Sequence, residues 1–111
     1  MAELEHERRN QPRIKPKKPI FVAYPDYRPR IRDISLSGAF IEDSRPLPRG
    51  RVLTMHILTS EEPPIKAKAM VRRVEPEVGM GVEFIEMSTA DRGRLRDFVG
   101  VTAKIERLQS F

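Results

Sequence analysis

Residues 51–75 read RVLTMHILTSEEPPIKAKAMVRRVE, and both halves of the stretch alternate with period two. Successive side chains of a β-strand point to opposite faces, so RVLTMHILT puts Leu53, Met55 and Ile57 on one side. Val52, Thr54, His56 and Leu58 fall on the other, where His56 reads as a half-buried strand residue. In IKAKAMVRRVE the residues Ile65, Ala67, Ala69 and Val71 separate in the same way from Lys66, Lys68 and Arg72. Two neighbouring strands with one apolar and one mostly polar face describe an antiparallel sheet that is solvated on one side. The SEEPP between them is a connection rather than a third element.

The same alternation recurs on either side of this pair. Ile20, Val22 and Tyr24 in PIFVAYP, Ile31 in RPRIRDIS, Ala39 and Ile41 in GAFIED, and Val82 and Phe84 in GMGVEFIEM bring the strand candidates to six. A turn over residues 76–81 precedes the last of them, with glycines expected to supply its unusual backbone angles. Ten prolines break the chain, and no apolar spacing of period 3.6 persists before residue 88. There the pattern changes: Ser88 stands three before Asp91 as a helix cap, and Leu95, Phe98 and Val99 share one helical face. Gly100 can end this helix, or Ile105 and Leu108 can carry it on; the sequence leaves both open. The fold expected is mainly β: a six-stranded antiparallel β-barrel with a C-terminal α-helix over residues 19–111, preceded by a flexible basic arm over residues 1–18 with no strand of its own.

Length and composition limit the function. A chain of 111 residues without cysteine has room for one modest core and excludes disulfides, thiolate metal sites and a cysteine nucleophile. It contains no apolar run of about 18 residues to span a bilayer, and MAELEHERRNQPR lacks the apolar segment of a signal peptide, so a cytoplasmic protein without a membrane span is expected. Its two histidines, His6 and His56, have no carboxylate at ligand spacing, and no histidine can be assigned to activate Ser35 or Ser37. The reading is therefore a binding protein, not an enzyme, with no cofactor and no metal. The net charge is +5, but residues 8–32 hold nine Lys or Arg against one acid, Asp26, which leaves the rest of the chain net negative. Positive potential concentrated on one segment points to an anionic partner.

The groups that suit such a partner are Arg8, Arg9 and Arg13 on the arm and Asp33, Ser35 and Gly38 in DISLSG. A guanidinium donates to phosphate or to guanine O6 and N7, and its flat face stacks on a purine. A carboxylate such as Asp33 accepts from guanine N1–H and its exocyclic amine, a serine hydroxyl supports it, and glycine allows the backbone to turn closely. In the remaining basic residues, including Arg28, Arg30 and Arg32, the expectation is a general contribution to potential rather than contact with specific atoms.

At these residues the chain resembles the PilZ domain family, bacterial receptors for cyclic di-GMP, whose signature is RxxxR followed some twenty residues later by [D/N]xSxxG. Arg9 to Arg13, preceded by Arg8, match the first half; Asp33, Ser35 and Gly38 match the second. The resemblance extends over residues 8–100 through DISLSGAFIED, PLPRGRVLTMHI, KAMVRRVE, GMGVEFIEMS and DRGRLRDFV. It implies a cyclic di-GMP sensor and adaptor: Arg8, Arg9 and Arg13 clamp phosphates and stack on guanines, Asp33, Ser35 and Gly38 line the barrel side, and the arm orders on binding and signals to a downstream protein. Gln11-Pro12 inside the arginine segment fixes one backbone angle and restricts the residue before it, which keeps open a ligand-free interaction module of the same fold. A barrel binding single-stranded nucleic acid is a third alternative, disfavoured because only Phe21, Tyr24 and Tyr27 lie near the basic stretch to stack on bases.

Overall fold

The computed structural model describes residues 13–16, 18–23 and 27–109, with side chains up to residue 102. Six strands form: β1 (Ile20–Val22), β2 (Arg30–Ile34), β3 (Gly38–Glu42), β4 (Val52–Leu58), β5 (Ile65–Glu75) and β6 (Gly79–Glu86), followed by one helix, α1 (Thr89–Gln109). They close into a barrel in the order β1-β2-β3-β6-β5-β4, and every pairing is antiparallel. The β4–β5 pair has the register expected of its alternation, with Met55 opposite Ala67 and Ile57 opposite Ile65. Their interior partners include Val22, Ile41, Ala69, Val71 and Met80, all of them inaccessible to solvent. His56, on the other face, is exposed rather than half-buried, because it points to the solvated outer side of the barrel.

The helix cap is as read: the Asp91 backbone N–H donates to Ser88 Oγ at 3.0 Å. This satisfies one of the donors that a helix N-terminus leaves unpaired. Asp91 in turn accepts from the Lys66 backbone N–H at 3.4 Å, and Arg94 donates to the carbonyls of Pro63 and Pro64, fastening the first turns to the start of β5. Leu95 and Val99 enter the core at 1% and 2% exposure, and Phe98 packs beside them. Of the two courses open at Gly100, the helix takes the longer and runs through it to Gln109. Among the described residues no helix is long and apolar enough to cross a membrane.

Two local features differ from the sequence reading. In the β5–β6 turn the left-handed backbone angle falls on Glu77, at φ 65°, not on a glycine. Gly79 lies in β6 instead, where a Cβ would strike the Ile41 carbonyl oxygen and come within 2.7 Å of the Phe40 ring. Its role is close packing rather than turning. The second difference is Ile14. It forms an antiparallel bridge with Ile34, with reciprocal backbone hydrogen bonds of 2.9 and 3.0 Å, and it is buried in the core. Ordered packing thus begins five residues before the expected start of the barrel at residue 19.

Candidate functional site

Asp33 owes its position to a bulge in β2. Ile31 pairs with Ile41 and Asp33 with Phe40, so β2 advances two residues where β3 advances one. Strict alternation from Ile31 would send Asp33 into the core and Ile34 outward. The extra residue, Arg32, reverses this: Ile34 joins the core and the Asp33 carboxylate emerges on the outer face, with only 11% of its side chain exposed. The bridge at Ile14 then brings the arm alongside, and Arg13 meets Asp33 across 20 residues of chain. Arg13 Nε and Nη2 both lie on Asp33 Oδ1, at 3.0 and 2.8 Å. Arg32 Nε approaches the other oxygen, Oδ2, at 3.5 Å.

Ser35 and Gly38 do different work. Ser35 is 1% exposed, and its hydroxyl is held within the β2–β3 turn, accepting from the Ser37 backbone N–H at 3.2 Å and donating to the Gly38 carbonyl at 3.4 Å. The Ser35 backbone N–H also donates to that carbonyl, at 2.8 Å. At Gly38 a Cβ would collide with the Val82 carbonyl oxygen, so glycine is required for β3 to lie against β6. Both residues therefore brace the turn that carries Asp33. Of the expected site residues, Arg13 and Asp33 are in contact, Ser35 and Gly38 stand just behind them, and Arg8 and Arg9 lie outside the described residues.

Three residues beside Asp33 were not expected as part of the site. Phe40 alternates with the interior residues Ala39 and Ile41 and so faces outward, yet it is only 1% exposed. Its cover is cationic: the Arg32 guanidinium carbon lies 3.8 Å from the ring centroid and that of Arg73 lies 5.7 Å away. Arg32 therefore touches specific groups and is more than a source of general potential. The contact was hidden because it depends on the bulge and on the β5–β6 register, neither of which leaves a mark in the residue pattern. Arg13, Asp33 and Arg32 form a continuous outer patch of alternating charge, with the covered Phe40 ring beneath Arg32.

A separate cavity of about 420 Å³ lies between α1 and the segment leading into β1, lined by Pro16, Ile20, Ile65, Phe98 and Val101. None of the expected binding residues lines it. Among the described residues no group of three or more His, Asp or Glu side chains converges as a metal site requires.

Several solved structures share the fold. Escherichia coli YcgR in complex with c-di-GMP aligns with a TM-score of 0.73 and 19% identity, covering 93% of this chain and 49% of that one. The Bacillus subtilis inhibitor of motility, MotI/DgrA, aligns with a TM-score of 0.67 and 23% identity, covering 89% and 51%. An uncharacterized Legionella protein, Lpg0364, aligns at 0.57 with 15% identity, covering 88% and 94%. The chain thus spans about half the length of the first two. No curated protein matches. The family profile described as PilZ domain matches residues 7–100, a span that takes in both halves of the arginine and aspartate signature and all six strands. By that match, and with the barrel, the capped helix and the Arg13–Asp33 contact in place, the chain belongs to the PilZ domain family.

Proposed function

We propose that this domain binds cyclic di-GMP on the patch around Asp33 and acts as a sensor and adaptor. The observation that supports the reading is the 2.8 Å contact between Arg13 and Asp33, one residue from each half of the signature. Membership of the family supports it, as does the likeness to YcgR, whose structure holds c-di-GMP. In this reading the partners of Asp33 exchange. Guanine N1–H and the exocyclic amine donate to the carboxylate, and Arg13, whose side chain is 54% exposed, turns to a phosphate. An ion pair exposed on one side is worth only about 0–1 kcal/mol, so a paired donor edge and a phosphate outweigh it. Arg8 and Arg9 supply further phosphate and stacking contacts. Ordering the arm costs entropy that ligand contacts offset, and the ordered arm is the surface a downstream protein reads. The chemistry is binding, with no bond made or broken.

One observation favours a second reading, a ligand-free interaction module: the Asp33 carboxylate is already satisfied by Arg13 and Arg32. Titration calorimetry with cyclic di-GMP, GMP and a single-stranded oligonucleotide separates the possibilities. Saturable uptake selective for the cyclic dinucleotide is expected, together with a loss of at least about ten-fold in affinity in Arg13→Ala and in Asp33→Ala and little change in melting temperature. Silence with every ligand would leave the interaction module. Oligonucleotide binding with steep salt dependence would indicate a nucleic-acid protein.

A further inference from the structure

Arg32 is anchored by a ring rather than by its acid neighbour. Its contact with Asp33 is a single Nε–Oδ2 approach at 3.5 Å, at the limit of a hydrogen bond, whereas its guanidinium lies 3.8 Å over the centre of Phe40. Phe40 is itself fixed: it is 1% exposed, its ring lies against Gly79, and Arg73 covers it further. Among the described residues no acceptor engages the terminal Nη1 and Nη2 groups of Arg32, and 41% of its side chain reaches solvent. Once Arg13 turns from Asp33 to a phosphate, the barrel presents side by side a carboxylate acceptor and a guanidinium whose terminal donors no described residue engages.

Guanine carries the complementary pattern along one side of its ring. N1–H and the exocyclic amine are donors, while O6 and N7 beside them are acceptors. Adenine presents the opposite at the matching positions: its N1 is an acceptor facing a carboxylate, and its N6 amine a donor facing a guanidinium. We propose that Arg32, held on Phe40, is a second base-reading residue that works with Asp33 to select guanine over adenine. This rests on the reading that the Asp33 patch binds cyclic di-GMP. It gives the barrel face its own specificity and leaves the arm's arginines to phosphates. The planar fork is essential, because lysine preserves the charge but neither stacks flat on Phe40 nor offers two parallel donors.

The test compares affinities for cyclic di-GMP and cyclic di-AMP in the wild-type chain, Arg32→Ala and Arg32→Lys, with melting temperature as a check on folding. The wild type is expected to favour the guanine ligand. Arg32→Ala should lose at least about ten-fold in that preference, chiefly through weaker cyclic di-GMP binding, and Arg32→Lys should not restore it. A wild type that binds cyclic di-GMP with a preference unchanged in Arg32→Ala would overturn this inference and leave the site reading intact. Restoration by Arg32→Lys would also overturn it, reducing Arg32 to a source of potential. A wild type that binds neither ligand would overturn the site reading and this inference together.

Discussion

Among the described residues two aspartates are buried, and their partners differ in kind. Asp43 is 7% exposed and accepts from the Tyr27 hydroxyl at 2.7 Å and from the Arg45 backbone N–H at 2.9 Å. These are neutral donors that pin the loop after β3. Asp33, at 8% exposure, is met among the described residues by two guanidinium groups, and Arg13, the more exposed of them, is able to leave. Partial desolvation, with 47% of the residue still exposed, followed by the hydrogen bond to Asp43, pushes the Tyr27 phenol above its ordinary pKa of 10.0. The unfolded chain therefore releases this proton at lower pH than the folded one. The stability Tyr27 contributes is complete below pH 10 and is lost as pH climbs through the raised folded value. Tyr27→Phe should cost about 0.5–1.5 kcal/mol in urea unfolding at pH 7 and should shrink the alkaline loss of stability relative to wild type. An alkaline limb identical in the two proteins would assign that loss to other groups. Tyr27→Phe should leave cyclic di-GMP affinity unchanged, since the hydroxyl it removes bonds Asp43 on the loop after β3.

Among the elements, the strands were legible and their irregularities were not. The alternation in residues 51–75 reports which side chains face inward, because one face of each strand is buried and the other is solvated. The Ser88–Asp91 cap was legible for an equally local reason, since both partners lie within one turn. The bulge at Arg32 inserts a residue without changing composition, and Ile14 is a single apolar side chain among lysines and prolines with no periodicity to mark it. Yet Ile14 joins the arm to the barrel: its bridge to Ile34 sets Arg13 beside Asp33. Ile14→Ala should therefore show two effects. Truncating a buried isoleucine should cost about 2–5 kcal/mol, toward the lower end so near the start of the packed chain, and cyclic di-GMP affinity should fall as Arg13 loses its register. Lowered stability with unchanged affinity, measured where the variant remains folded, would show that Arg13 finds Asp33 without the anchor.

For the molecule as a whole, the Asp33 patch and the cavity beside α1 are built from different described residues. Arg13 and Arg32 of the basic stretch meet at Asp33 on β2, while Lys18 of the same stretch lines the cavity between α1 and the segment before β1. The resemblance in RxxxR and DxSxxG named Arg13 and Asp33, and these two residues do meet. Arg32, Phe40 and Arg73 were beyond reach because they converge from three strands whose relative register no short motif encodes. The segment from Arg13 to Ile20 joins the two regions, since Pro16 and Ile20 line the cavity two and six residues beyond Ile14. The most direct test of the central claim is amide chemical-shift mapping of the isotope-labelled chain during titration with cyclic di-GMP. The expected result is saturable shifts concentrated at Arg13, Ile14 and Arg32 through Gly38. Absence of shifts at saturating ligand, or shifts gathered around Ile65, Phe98 and Val101 instead, would contradict it.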